Sequence, residues 1–359
     1  MNEHATRLDS YPAYIYDLAG LKSHAASIRA ALGPTELFYA AKANPDAEIL
    51  RTLAPHVDGI EVSSGGELTH VRKTLPKIRT AFGGPGKTAE ELALAHRVDR
   101  IHVESPSELA RLAALGSSNI LLRANLPLKT PNAALTMSGP FGMDEDALNE
   151  CAYLLADHPQ LTLHGVHAHL ASGMDARTML KLAYRIAEWA LPWLKDHGVD
   201  NPELNVGGGM AVDYSRPQTR FDWETYGAGL SLIPAKVRVE PGRSMTAYHG
   251  WYVTDVLDVK TTHGETYIIL RGGTHHLRTP VTKGHNQPFK VLTASGIGSP
   301  ATLVGQLCTP KDVFARNVLV PPLTPGDIIA FTMAGAYAWN ISHHDFLMHP
   351  KPSFVYWEG

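Results

Sequence analysis

Lys42 lies in Phe38-Tyr-Ala-Ala-Lys-Ala-Asn-Pro45, an apolar run closed by Asn44-Pro45. Proline lacks an N–H and turns its predecessor away from helix, so the run reads as a strand that stops just after the amine. An unpaired ammonium at the end of a buried strand is costly; such a lysine snorkels to the rim, is neutralised, or is used chemically. Two later stretches supply complementary groups: Gly207-Gly208-Gly209, and Glu240-Pro241-Gly242-Arg243. Glycines after a strand let backbone N–H groups approach an anion closely, and an arginine adds a bidentate phosphate contact. Glu240 either pairs with Arg243 or holds a ring nitrogen protonated, since an opposite charge favours the charged form. An amine, a phosphate cradle and a carboxylate for a pyridinium nitrogen are the three needs of pyridoxal phosphate.

These groups are far apart in sequence and need a frame that gathers them. A helix over 18–32 shows Leu21, Ala25, Ile28 and Leu32 on one face and stops at Gly33-Pro34. Strand-like runs then alternate with helical ones. Strands are expected at 37–41, 59–62, 78–82, 101–103, 119–124, 163–169, 203–206 and 236–240. Helices are expected at 46–53, 65–75, 88–96, 105–115, 144–155, 178–194 and 221–230, with Ser105 and Glu108 as a capping box. Eight strands separated by helices make an α/β fold, a (β/α)8 barrel; the competing answer is an open doubly wound sheet. The count of eight and the glycine run after strand seven favour closure. Chemistry in such barrels sits at the carboxyl ends of the strands. Those ends carry Lys42, Glu61, Arg123, His167-Ala-His169-Leu-Ala-Ser172-Gly173, the glycine triplet and Glu240–Arg243. Beyond Arg243 the runs become short and β-branched, which reads as an all-β domain. The early run 13–16 has no barrel role and is assigned to it. The expected domains are a barrel at 18–245 and a β domain from 1–17 plus 246–359.

Composition narrows the class. The chain has 359 residues, 44% apolar, with a net charge of −3. That suits one large barrel or two domains and lacks the basic face of a nucleic-acid binder. Cys151 and Cys308 cannot form a disulfide framework, and no apolar run reaches a membrane span or a signal core. A cytoplasmic protein with a small-molecule substrate and no nucleic-acid or membrane partner is expected.

The stretches Phe38–Asn44, Glu61–Leu68, His169–Ser172, Leu204–Gly209, Glu240–Arg243, Gly305–Cys308 and Ala334-Gly-Ala-Tyr337 occur in one order along the whole chain. Together they resemble the fold-type III pyridoxal phosphate decarboxylases, relatives of the ornithine, arginine and diaminopimelate enzymes. The resemblance implies an alanine-racemase-like barrel with a C-terminal β domain, in a head-to-tail homodimer with active sites at the subunit boundary. Lys42 then resembles the Schiff-base lysine and His169 the imidazole stacked on the cofactor. Ser172, Gly207, Gly208, Gly209, Gly242 and Arg243 resemble the phosphate site, Tyr337 the tyrosine near it, and Glu240 the ring-nitrogen partner. Cys308 resembles the cysteine that reaches in from the other subunit to protonate the carbanion.

Some positions depart from the family. Ala171 replaces a glycine, and Thr309-Pro310-Lys311 follows Cys308 where an acid commonly reads a distal amine. The matching β-domain stretch carries His275, His276 and Arg278, then His285, and reads as basic. Together with Trp339 and His343-His344-Asp345, this resembles the subgroup of siderophore biosynthesis that decarboxylates an amino acid already joined to citrate. Arg123, His275, His276, Arg278 and Thr309 are the expected substrate contacts, and a basic pocket suits carboxylates. The alternatives are decarboxylation of diaminopimelate or another basic amino acid, racemisation on the same barrel, and a cofactor-free regulatory homologue. A metal enzyme is disfavoured: no cysteine cluster or His-Glu motif supports zinc, His167 and His169 alternate along a strand, and His275-His276 and His343-His344-Asp345 are the better metal candidates. No metal is expected.

Overall fold

The computed structural model describes residues 2–95, 97–130, 133–137, 139–278 and 285–359. After strand β1 (Ala13–Asp17) and the helix Leu18–Leu32, eight parallel strands close into a barrel. They are β2 (Glu36–Ala40), β3 (Gly59–Val62), β4 (Thr80–Phe82), β5 (Arg100–Val103), β6 (Ser118–Arg123), β7 (Leu161–His167), β8 (Glu203–Asn205) and β9 (Lys236–Val239). Closure is made by β9 pairing with β2, Arg238 opposite Glu36. The barrel rather than the open sheet is therefore realised.

Local punctuation explains where the barrel helices begin. Asp46, Ser64, Thr88, Ser105, Asp144, Asp175 and Asp222 each cap a helix through a side-chain oxygen that accepts a first-turn N–H. A full capping box forms at Thr88 and Glu91. The one expected at Ser105 is half made: Ser105 accepts from Glu108 N, but the Glu108 carboxylate accepts from Lys87 instead. His96, the expected end of the Thr88 helix, lies outside the described residues. The expected helix 178–194 is longer, Ala176–Asp196, and tolerates Pro192 inside its last turns.

The amino end of the barrel is plugged by an ion-pair network. Glu36 accepts from Arg79 and Arg238, Arg238 also reaches Asp99, and Arg100 forks onto Glu203. Together Arg79 and Arg238 hold the Glu36 carboxyl down to about 2, against the opposing effect of its burial. Ordered charge at this end stabilises the fold and leaves the opposite end for chemistry.

The chain forms two compact units, Lys22–Ala211 with Arg220–Met245, and Met1–Leu21 with Val212–Thr219 and Thr246–Gly359. The second unit holds an eight-stranded sheet. Its further strands are β10 (Gly250–Thr262), β11 (Glu265–Leu270), β12 (Phe289–Val291), β13 (Ser299–Val304), β14 (Val313–Val320), β15 (Ile328–Phe331) and β16 (Ser353–Trp357). The order is β12-β15-β10-β11-β13-β14, and β1 joins through β10 (antiparallel) and β16 (parallel). Ile15, Val253, Ile328 and Ala330 form part of its core. Pro300 argues against a strand, yet it pairs only with Leu319, because the β11 ladder begins at Thr302 and needs no N–H from residue 300.

Candidate active site

Lys42 lies one turn beyond β2, in the 3₁₀ turn Ala41–Ala43. The turn is pinned by Tyr39 Oη donating to Asn44 O (3.0 Å) and by Asp46 N donating to Asn44 Oδ1 (3.1 Å). Lys42 Nζ donates to Glu61 Oε2 at 2.6 Å, and Ser63 Oγ donates to Glu61 Oε1 at 2.9 Å. The lysine side chain is 46% exposed while that of Glu61 is 5% exposed. Burial pushes the Glu61 carboxyl up, but the Lys42 charge outweighs it and the net position is below the ordinary value. The site thus presents a reachable amine backed by a buried anion.

His169 follows β7, and its imidazole lies against the glycine triplet. A Cβ on Gly207 (φ +71°) would stand 2.5 Å from His169 Cβ, one on Gly208 would meet Glu240 O at 2.4 Å, and one on Gly209 (φ +102°) would meet Ala171 O at 2.4 Å. The triplet is therefore required by close backbone approach as well as by turn geometry. The Gly207 N–H donates to Asn205 Oδ1 at 2.9 Å, so this first amide is already engaged and does not serve an anion. Ser172 is held in a two-residue ladder with Leu135, and Gly173 N donates to Gly209 O. Burial, with Lys42 and Arg123 nearby, depresses the His169 pKa to about 3, so the ring is neutral. Gly242 packs closely against Ala43 and Ala40, with Arg243 opening the short helix Arg243–Thr246.

Glu240 does not pair with Arg243 among the described ion pairs. It is buried at the end of β9, and Asn205 Nδ2 donates to its Oε1 at 2.7 Å. Burial and the charge of Glu61 push its carboxyl up to about 7. His102 and His167 stand beside it, their Nε2 atoms 3.7 and 3.6 Å from Oε1 and Oε2. Among the described residues these three form the single cluster whose potential ligand atoms lie within 4.8 Å of one another. The expected metal candidates, His275-His276 and His343-His344-Asp345, do not gather this way. Neither His102 nor Asn205 is singled out as a site residue by sequence: His102 lies outside the quoted motifs, and Asn205 lies within Leu204–Gly209 but carries no role there until Glu240 meets it.

Arg123, expected to contact substrate, pairs locally. It is 7% exposed and donates to Glu104 Oε1 at 2.7 Å, so its charge is matched inside the protein. The expected cationic character of His275 and His276 is corrected too. Both are buried, and burial with mutual repulsion lowers them to about 4 and 3, so they are neutral at pH 7. Tyr252 Oη lies 3.1 Å from His276 Nδ1, and His344 stacks on Trp339 with ring centres 3.6 Å apart. Arg278 is exposed, its backbone N–H donating to Ser342 Oγ. Cys308 is an exposed free thiol, followed by a half-buried Thr309. Its loop is shaped by Asp312, unnoticed in the sequence, which accepts from Thr274 N (2.6 Å) and Leu307 N (2.8 Å). A Cβ on Gly305 would meet that carboxylate at 2.3 Å. Tyr337 adopts a left-handed backbone (φ +49°), a strained choice for a bulky residue.

The profile described as pyridoxal-dependent decarboxylase, pyridoxal binding domain, matches residues 18–247. The chain belongs to the pyridoxal-dependent decarboxylases. It is 39% identical over 381 aligned residues, covering 98% of this chain and 95% of its relative, to the 2-[(L-alanin-3-ylcarbamoyl)methyl]-2-hydroxybutanedioate decarboxylase of Staphylococcus aureus. It is 31% identical to the diaminopimelate decarboxylase of Zymomonas mobilis, covering 91% of this chain and 83% of that one. The crystal structure of diaminopimelate decarboxylase from Helicobacter pylori complexed with L-lysine superposes with a TM-score of 0.90 at 26% identity, covering 100% of this chain and 94% of that chain.

This decarboxylase is a carboxy-lyase that uses pyridoxal phosphate. Its residues fit the cofactor: a reachable amine, a neutral imidazole whose Nδ1 has no hydrogen-bond partner, a glycine floor and a buried carboxyl. Among the described residues no helix is long and apolar enough to cross a membrane.

Proposed function

We propose that this decarboxylase releases CO₂ from the α-carboxylate of an amino acid whose side chain is amide-linked to a polycarboxylate such as citrate. The observation that carries this is the 39% identity, along 98% of the chain, to an enzyme whose name describes such a conjugate. Thr309 supports it, since no acid follows Cys308 to read a free distal amine. Diaminopimelate is the second reading, supported by the Zymomonas relative.

Pyridoxal phosphate, when bound, supplies a conjugated ring that accepts the electron pair left as the C–C bond breaks. Lys42 would hold the cofactor through its aldehyde carbon, with Glu61 orienting the amine. His169 would cover one face of the ring and, being neutral, would add no charge there. Ser172, Gly208, Gly209, Gly242 and Arg243 would hold the phosphate, with Gly207 setting the turn. Glu240 would face the ring nitrogen and hold it protonated. Cys308, from a second copy of the chain in a homodimer, returns a proton to the α-carbon. Thr309 and Arg278 lie on the substrate side. The enzyme acts in the cytoplasm.

A screen for CO₂ release tests the substrate: citryl-diaminopropionate against diaminopimelate, lysine and ornithine. Preference for the conjugate is expected; equal turnover of lysine or ornithine with none of the conjugate would overturn the assignment. Mixing Lys42→Ala and Cys308→Ala chains tests the shared site, with about a quarter of parental activity expected from symmetric exchange.

A further inference from the structure

Glu61, His102, His167 and Glu240 come from β3, β5, β7 and the end of β9, alternate strands of the closed barrel. Alternate strands of such a barrel contribute the four side chains of one interior layer, and branched apolar residues dominate these layers. Here all four are ionisable and buried. Three of them also meet: His102 and His167 ring centres are 4.2 Å apart, and each Nε2 approaches a different oxygen of Glu240. The backbone makes room for them, since a Cβ on Gly83 would stand 3.3 Å from His102 Nδ1 and 3.4 Å from Glu61 Oε1.

The two oxygens of Glu240 are not equivalent. Oε1 accepts from Asn205 Nδ2, which also lies 3.4 Å from His102 Nε2, so His102 takes the acceptor role and backs the amide. Oε2 faces His167 Nε2 at 3.6 Å, just beyond hydrogen-bond length. Neither nitrogen of His167 has a hydrogen-bond partner. Burial, together with His102, Arg123, His169 and Lys42, keeps His167 neutral, so its ring carries one N–H to place. A buried polar group without a partner in a native core calls for an explanation, and the Glu240 carboxylate lies 3.6 Å from Nε2. Around Glu240 the other charges are Glu61, which disfavours the anion, and Lys42 and Arg238, which favour it.

We propose that His167 is a positioning residue that keeps Glu240 an anion: its Nε2–H closes on Oε2 while Asn205 holds Oε1 and His102 supports both. A second donor stabilises the charged carboxylate, and the charged carboxylate holds the cofactor's ring nitrogen protonated. This rests on Glu240 being the ring-nitrogen partner.

The test uses holoenzyme reconstituted with ring-¹⁵N pyridoxal phosphate, reading the ¹⁵N shift and cofactor affinity. The parent is expected at the protonated-pyridine position. His167→Phe, which keeps a flat ring and loses the donor, is expected to move the signal toward the unprotonated position and weaken affinity about tenfold. His167→Gln, which restores an N–H, is expected to return both toward the parent; should the Phe variant fail to fold, His167→Leu carries the same reading. A parental shift and affinity in the donor-less variant overturn the proposal, as does stoichiometric zinc that needs His167 for retention. Glu240→Gln separates the two levels. If it leaves the ¹⁵N shift unmoved, the assignment of Glu240 itself fails; if it moves the shift and the His167 variants do not, only the role of His167 fails.

Discussion

Replacing Lys87 with Met should destabilise the barrel by about 3–5 kcal/mol, the range for stranding one partner of a buried ion pair. Lys87 Nζ donates to Glu108 Oε1 (2.7 Å), His102 O (2.7 Å) and Gly84 O (2.8 Å), which uses all three of its protons. The two side chains are 1% and 2% exposed, so water cannot replace what is lost. Methionine keeps the stem and its packing, but leaves the Glu108 carboxylate without its cation and takes the donor from two carbonyls. Burial already lifts the Glu108 carboxyl above its ordinary value despite Lys87. A carboxyl raised in the folded state binds its proton more tightly there than in the unfolded chain, so stability from this group falls as pH rises through the raised value. The Met variant should therefore lose less at pH 5 than at pH 8. The double variant Lys87→Met with Glu108→Leu removes both charges and should return to within about 1 kcal/mol of the parent or exceed it. Urea midpoints of cofactor-free protein measure the loss, and hydrogen exchange in β5 assigns it to the barrel. A single variant within about 1 kcal/mol of the parent, or a double variant as unstable as the two singles summed, refutes the reasoning.

Three further outcomes are expected. Borohydride reduction of the holoenzyme should fix the cofactor to the peptide holding Lys42, and Lys42→Ala should abolish the label; a label elsewhere removes the lysine from its role. Glu240, raised to about 7 in the folded chain, should make cofactor-free protein lose about 3 kcal/mol between pH 4.5 and 7, and Glu240→Gln should flatten that window in thermal melts. Asp312→Ala strips the acceptor from the Thr274 and Leu307 amides and should destabilise the β domain by about 1–3 kcal/mol, lowering turnover with cofactor affinity unchanged. Unchanged melting together with unchanged turnover would show that Asp312 does not shape the Cys308 loop.

The strand–helix rhythm, the helix caps, Lys42 before Asn44-Pro45 and the glycine triplet are local properties of the chain, so they were legible in the sequence. Period, punctuation and the lack of an N–H or a Cβ act within a few residues and need no partner to be recognised. Charge state and partnership were not legible. Arg123 can be read as a substrate contact or as a locally paired strand-end arginine, and only the fold names Glu104 as its partner. His275 and His276 read as basic until burial makes them neutral. Glu108 reads as half of a capping box until Lys87 takes its carboxylate. His102, His167 and Asn205 meet Glu240 only because ring closure brings β5, β7, β8 and β9 around one axis. Which groups are charged depends on desolvation and on neighbours distant in sequence, and tertiary structure alone decides both.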